Sequence, residues 1–311
     1  MRVSLIATVI NEEKTIGGFI MSIFRQSRIP DVIIVVDGGS TDATASVISN
    51  FQSQISNKQI KFKFIVKKGN RAVGRNEAIK NVSNEVIVCS DAGCVLDKNW
   101  VKNIIEPFND PKVDVVAGYY RGKPKTIFQK CLIPYVLVME DKLNPLEFLP
   151  ASRSMAFKKS IWRKAGGFDE KYSHNEDYVF AHKLKEIRAN IFFAKKAVVD
   201  WIPRKNFKDA FVMFYRFAKG DVESHICRPK VLMIFLRYIV GLLLIFFYAV
   251  LRESYLLDIL CLMLVAYFVW SIIKNYKYIM DIRAILFLPL IQIISDIAVI
   301  LGSIDGLFFT E

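Results

Sequence analysis

The sequence predicts two dissimilar parts. The first is an α/β domain with a mostly parallel sheet covered by helices on both faces, and the second a transmembrane helical region of about three spans. Three observations carry this. Short β-branched runs alternate with helical patterns in the N-terminal part, polar clusters fall where those runs end, and long apolar runs crowd the chain beyond Lys230. Composition agrees. Of 311 residues, 53% are hydrophobic, which excludes a disordered chain, and five cysteines are too sparse for a disulfide scaffold. A mean hydropathy of +0.29 argues against an ordinary soluble enzyme.

The elements follow in order. Val3–Ile10 is a continuous apolar run, expected as a buried strand, with a helix over 14–27 after it. Val32–Val36 (VIIVV) is a second strand, followed by a helix over Asp42–Ile55 begun by Ser40-Thr41-Asp42. Phe62–Val66, then a helix over about 71–82, then Glu85–Ser90 and Val113–Tyr119 continue the alternation. Runs such as VIIVV, apolar on both faces, suit a parallel sheet buried between helices. Pro150–Phe157 reads as a further strand.

Beyond Lys230, the runs 231–251, 255–273 and 284–304 are each long enough to cross a bilayer. A 21-residue helix reaches about 32 Å, against about 30 Å of hydrocarbon. Of the chain's 43 basic and 30 acidic residues, 38 and 24 lie in residues 1–230, a net +14 that suits an anionic bilayer surface and phosphorylated substrates. No nucleic-acid-binding motif accompanies it, so no nucleic-acid partner is expected. Lys274, Lys277 and Arg283 lie between the second and third runs, and Arg228 and Lys230 precede the first. The positive-inside rule then puts residues 1–230 in the cytoplasm of a multi-pass cell-membrane protein, with Thr310-Glu311 on the far side. The apolar run before Asn11 is too short for a secretory signal. Residues 206–220 gather Phe207, Phe211, Phe214 and Tyr215 near one helical face, fitting either an interfacial helix or one packed on a core. The apolar patch Cys131–Met139 is too short to span.

In sheets of this kind ligands bind at the carboxyl ends of the strands. This chain puts Asn11-Glu12, Asp37-Gly38-Gly39-Ser40-Thr41-Asp42, Lys67-Lys68-Gly69-Asn70-Arg71 and Asp91-Ala92-Gly93 there. Each cluster alone also reads as a turn or helix cap; four at four strand ends point to a site. No glycine-rich phosphate loop is present, so a nucleotide would be held by carboxylates, Arg/Lys and metal.

Thr8-Val9-Ile10-Asn11-Glu12-Glu13, Val35-Val36-Asp37-Gly38-Gly39-Ser40-Thr41-Asp42, Gly74-Arg75-Asn76-Glu77-Ala78, Ser90-Asp91-Ala92-Gly93 and Asn175-Glu176-Asp177 together resemble family 2 glycosyltransferases. The resemblance covers residues 1 to about 200 and implies a GT-A fold, Rossmann-like in its sheet. It implies a nucleoside-diphosphate sugar as donor. Asp37 would accept a hydrogen bond from the base, Thr8, Asn11 and Glu12 would line the donor pocket, and Arg71 would reach the base or diphosphate. Arg75 would either contact the donor or form an intradomain salt bridge. Asp91 matches the first carboxylate of the family's D-x-D motif, implying Mg²⁺ or Mn²⁺ on the diphosphate. Residue 93 departs from that motif, since Gly has no ligand oxygen; His174 is either a further ligand or structural. Asp177 matches the general base of inverting transfer, with Glu176 as runner-up. Arg153 would meet a lipid phosphate, the donor or a surface carboxylate. Arg216 lies near where processive members carry Q-x-x-R-W, whose Gln and Trp are absent here, and would stabilise the leaving diphosphate.

The sequence thus predicts a GT-A glycosyltransferase domain over 1–205, an amphipathic linker over 206–230 and a membrane region over 231–311. Its expected activity is inverting transfer to a lipid-linked or membrane-proximal acceptor, with direct glycosylation of a polyprenyl phosphate as a variant. From another class, the alternative is a membrane protein that binds a nucleotide sugar or a partner without turnover.

Overall fold

The computed structural model describes residues 1–55 and 60–308; the tail Thr310-Glu311 falls outside them. The chain divides into two compact units, Met1–Lys123 with Met139–Ile202, and Pro124–Val138 with Pro203–Glu311. In chain order the elements begin β1 (Val3–Val9), α1 (Ile16–Phe24), β2 (Val32–Asp37), α2 (Thr44–Ile55), β3 (Lys61–Val66), α3 (Arg71–Lys80), β4 (Val86–Cys89), β5 (Cys94–Leu96), α4 (Trp100–Ile105) and β6 (Val115–Gly122). They continue α5 (Ile127–Val136), β7 (Met155–Lys158), α6 (Lys159–Lys164), α7 (Glu176–Glu186), β8 (Ile191–Trp201), α8 (Phe207–Glu223), α9 (Pro229–Leu251), α10 (Ser254–Tyr276) and α11 (Ala284–Phe308).

The first unit is built on one eight-stranded mixed sheet, ordered β3-β2-β1-β4-β7-β6-β8-β5. Its first four strands are parallel, with Val9 opposite Asp37 and Asp37 opposite Val66. The expected alternation is therefore present, and Ile33–Val36 are wholly buried, as strands covered on both faces require. From β1 the chain moves outward to β2 and β3, then returns to place β4 on the other side of β1. That reversal opens a crevice at the carboxyl ends of β1 and β4. Helix α3 lies close over β1 because residue 74 is glycine: a Cβ there would stand 2.7 Å from Thr8 Cγ2.

Three details differ from expectation. The run 150–157 is a strand only from Met155, because Ala151 and Ser154 close a turn in which the Ser154 N–H donates to the Ala151 carbonyl at 2.9 Å. The short strand β5 and the long strand β8 are additional, and β8 shifts register against β6 between Gly118 and Tyr119. The apolar patch at 131–139 begins inside helix α5, which contains Pro134.

The second unit carries three C-terminal helices of 23, 23 and 25 residues, each long and apolar enough to cross a membrane. Helix α8 starts at an Asn206 cap whose side chain accepts from the Asp209 N–H at 2.8 Å. Its apolar face is spent on α11. Phe207 stacks near Phe287 at 6.2 Å, the Tyr215 hydroxyl donates to Asp305 at 2.5 Å, and Lys219 pairs with Asp305 at 2.7 Å. A Cβ on Gly302 would stand 2.2 Å from the Tyr215 carbonyl oxygen, and one on Gly306 2.9 Å from Val222 Cβ. Small residues thus let the two backbones meet, and the helices run in the same direction.

Candidate active site

The loops after β1 and β2 are fastened to each other. Asp37, 1% exposed at the end of β2, takes the Gly39 N–H, the Ser40 N–H and the Ser40 hydroxyl on one oxygen, Oδ1. Its Oδ2 has no hydrogen-bond partner among the described residues. Asn11 adopts a left-handed backbone, φ 53°, donates its N–H to Ser40 Oγ at 2.9 Å and accepts the Thr41 N–H on Oδ1 at 2.9 Å. Its side chain therefore shapes the 38–42 loop. Glu12 donates its N–H to Thr44 Oγ1, begins α1 through its carbonyl, and accepts the Thr15 hydroxyl on its carboxylate. Thr8 is half-buried beneath Gly74. Arg71 opens α3 and is exposed.

Beneath the crevice lies an ionic hub. Arg75, 1% exposed, bonds Glu176 through one terminal nitrogen and, through the other, Asp91 Oδ1 at 2.9 Å and Ser152 Oγ at 2.8 Å. Its guanidinium also lies over the Phe168 ring at 5.5 Å. Of the two roles expected for Arg75, the structure gives the intradomain salt bridge: Arg75 braces two carboxylates from below. Glu176, equally buried, is its counter-ion, which leaves Asp177 as the accessible carboxylate of the pair. Asn76 holds the 168–170 turn through Phe168 and Glu170.

Ser152 is the residue that sequence reasoning passed over. Its N–H and hydroxyl both reach Asp177 Oδ2 at 3.0 Å, and its hydroxyl stands 3.4 Å from Asp91 Oδ2. The other Asp177 oxygen accepts the Tyr178 N–H at 2.9 Å. One buried serine thus gathers Asp177, Asp91 and Arg75, which lie 25, 61 and 77 residues from it in sequence.

Burial alone would raise the Asp91 carboxyl, but Arg75, Arg71 and Arg153 outweigh it and hold it below the ordinary carboxylate value. Its side chain is 31% exposed, so the charged group faces the crevice. Arg153 is half-buried between the rings of Tyr120 and Trp201, at 5.5 and 5.4 Å. Burial pushes the Cys89 thiol up to about 12 and the Cys94 thiol higher, so neither serves as a thiolate at neutral pH.

Among the described residues, no three His, Cys, Asp or Glu side chains stand close enough to cage a metal. Asp91 offers a half-buried carboxylate, and Gly93 offers no side-chain oxygen. The nearest atom to a Cβ built on residue 93 is Glu12 Oε1, at 3.9 Å. His174 bonds Ser173 at 2.8 Å. This donor set fits a hard cation that takes one protein carboxylate and completes its shell from a diphosphate and water. Arg216 sits on α8 in the second unit, exposed.

The parallel strands with their reversed order and the crevice with its carboxylates are those of the GT-A fold, followed by three helices long and apolar enough to cross a membrane. The family model described as Glycosyl transferase family 2 matches residues 4–161, and the chain belongs to that family. The chain is 26% identical over 232 residues to the poly-beta-1,6-N-acetyl-D-glucosamine synthase of Staphylococcus epidermidis, covering 71% of this chain but only 55% of that protein. It is 25% identical over 228 residues to the O-antigen chain rhamnosyltransferase RfbN of Salmonella typhimurium, covering 68% of this chain and 71% of the relative. The fold is similar to a mannosyltransferase from Pyrobaculum calidifontis in complex with GDP-Man and Mn²⁺, with a TM-score of 0.62 at 16% identity, covering 100% of this chain and 88% of that one.

Proposed function

We propose that the chain is an inverting transferase that moves a sugar from a nucleoside-diphosphate sugar to a lipid-linked or membrane-proximal acceptor. Residues 1–205 would carry the chemistry on the cytoplasmic face of the cell membrane, tied by residues 206–230 to a membrane region over 231–311. The observation that carries the reading is the meeting of Asp91 and Asp177 on the single hydroxyl of Ser152. In this reading Asp91 is the donor-side and Asp177 the acceptor-side carboxylate, and their closeness supports it.

In this reading Asp37 Oδ2 accepts an N–H of the base, Thr8 and Glu12 border the donor, and Asn11 holds the loop that closes over it. Arg71 faces the diphosphate, and Arg216 is assigned to the leaving group. Bound Mg²⁺ or Mn²⁺, held by Asp91, would supply charge neutralisation on the departing nucleoside diphosphate. Asp177, oriented by hydrogen bonds on both oxygens, takes the proton from the acceptor hydroxyl as that oxygen attacks the anomeric carbon. The bond to the diphosphate breaks on the opposite face, and the configuration inverts. The GDP-Man and Mn²⁺ of the mannosyltransferase with a similar fold support this class of donor and metal.

Donor hydrolysis by the detergent-purified protein, over a panel of nucleotide sugars with and without Mn²⁺, tests the reading. One donor should be hydrolysed well above the rest, and faster with metal. No hydrolysis and no binding of any nucleotide sugar would overturn it.

A further inference from the structure

Gly93 leaves the cation assigned to Asp91 short of a carboxylate, and a different strand end offers one. β1 and β4 run parallel, with Ile6 opposite Cys89, so the chain leaves both strands at the same end of the sheet. That brings the loop after β1 against residues 91–93. Apart from its chain neighbours, a Cβ on residue 93 would have only Glu12 Oε1 within 4 Å, at 3.9 Å. The Glu12 side chain therefore ends beside the place that a second D-x-D carboxylate would fill. Asp91 and Glu12 also share a neighbour. Burial raises the Cys94 thiol first, and the nearby charges of Asp91 and Glu12 raise it further.

Two features set Glu12 apart from an ordinary loop carboxylate. It is fastened at every polar atom but one. Its N–H donates to Thr44 Oγ1 at 2.8 Å, its carbonyl takes the Thr15 and Ile16 N–H groups, and its Oε2 takes the Thr15 hydroxyl. Oε1, the atom nearest residue 93, accepts no hydrogen bond among the described residues. The side chain is also half-buried, and no Lys or Arg pairs with it among the described residues. A carboxylate drawn out of water is ordinarily paired with a cation or coordinates a metal. Asp91 has Arg75 on its Oδ1; Glu12 has no such partner.

We propose that Glu12 supplies the second carboxylate for the divalent cation, from the loop after β1, in place of the oxygen that Gly93 lacks. Hard cations take oxygens from any part of a chain that brings them together. Glu12 fills one shell position otherwise left to water, and the diphosphate keeps its own. This rests on the metal assignment within the proposed function and adds a ligand to it.

The test uses the detergent-purified full chain. It reads Mn²⁺ binding by EPR titration in the presence of UDP or GDP, and nucleotide binding in EDTA. Glu12→Gln keeps the size of the side chain and its contact with Thr15 but gives up the charge. It should weaken Mn²⁺ binding in the nucleotide complex by about tenfold or more, a loss with no counterpart in EDTA. Gly93→Asp added to Glu12→Gln should restore the Mn²⁺ affinity, because it returns the carboxylate to residue 93. If Glu12 instead touched the base or ribose, Glu12→Gln would weaken nucleotide binding equally with and without metal, and the inference would be overturned. Wild-type Mn²⁺ affinity in Glu12→Gln would overturn it as well. Asp91→Ala, measured alongside, keeps the two levels apart. Loss of Mn²⁺ binding in Asp91→Ala but not in Glu12→Gln removes this inference and leaves the proposed function standing.

Discussion

Ser152 gives both its N–H and its hydroxyl to one oxygen of Asp177, each at 3.0 Å. The carboxylate is thereby fixed in direction as well as place. Asp177→Asn retains the shape but removes the proton acceptor, and turnover with a hydroxyl acceptor should fall about 10²–10⁴-fold, roughly 3–5 kcal/mol of barrier. Ser152→Ala should cost about 10- to 100-fold, the value of a hydrogen bond to a charged group. Steady-state kinetics with nucleotide binding as a control checks both. If the acceptor is a lipid phosphate, already ionised, Asp177→Asn should lose far less, so the size of the loss separates the two acceptor classes.

Arg75 and Glu176 form a buried pair, and removing one partner strands the other. Arg75→Met should destabilise the first unit by about 3–5 kcal/mol. The double variant Arg75→Met with Glu176→Gln should recover a large part of that loss, and denaturant unfolding would show it. Equal stability of the single and double variants would mean that the pair carries no coupling.

The lowered carboxyl of Asp91 sets a pH window. A carboxyl depressed in the folded state contributes stability above its unfolded value and loses it as pH falls through the folded one. Metal-dependent binding of a nucleotide sugar, whose esterified diphosphate does not titrate here, should therefore persist down to the ordinary carboxylate range of about pH 4 and decline only below it. Arg75→Met removes the largest opposing charge, so burial should then dominate and move the decline upward. A binding titration against pH checks the direction.

Gly93 leaves room where the family's second carboxylate would stand, with only Glu12 Oε1 within 4 Å of a Cβ. Gly93→Asp should tighten Mn²⁺ binding in the presence of nucleoside diphosphate by tenfold or more. Without nucleotide it should do little, because the new charge faces Glu12. Calorimetry with and without UDP or GDP distinguishes the cases.

Lysine and arginine placement predicts that the 277–283 loop faces the cytoplasm and the Arg252-Glu253 turn faces away. Single cysteines placed in each, in a background cleared of the five native cysteines, should react oppositely with an impermeant thiol reagent on intact cells.

The strand–helix alternation and the apolar helices were legible because they are local: VIIVV needs no partner to announce a buried strand. β8 was not, since Lys195-Lys196 interrupt its apolar pattern where the register shifts. Asp37, Asp91 and Asp177 could be picked out as candidates by motif. Ser152 could not, because a serine before a strand carries no signal and its partners lie 25 and 61 residues away. The choice between salt bridge and ligand contact for Arg75 needed burial, which only the packed unit supplies. The α8–α11 seam was invisible for the same reason, since Gly302 and Gly306 read as mere interruptions in an apolar run.

That seam has a consequence for depth. Two helices that run the same way, joined from Phe207–Phe287 to Val222–Gly306, behave as a single spar. Wherever α11 settles in the bilayer, α8 is carried to the same level, and the exposed Lys208 and Arg216 go with it. Water or headgroups must meet those charges, so the polar side of α8 works as a float line. It limits how far the last apolar helix can sink or tilt, whatever its own hydropathy would favour.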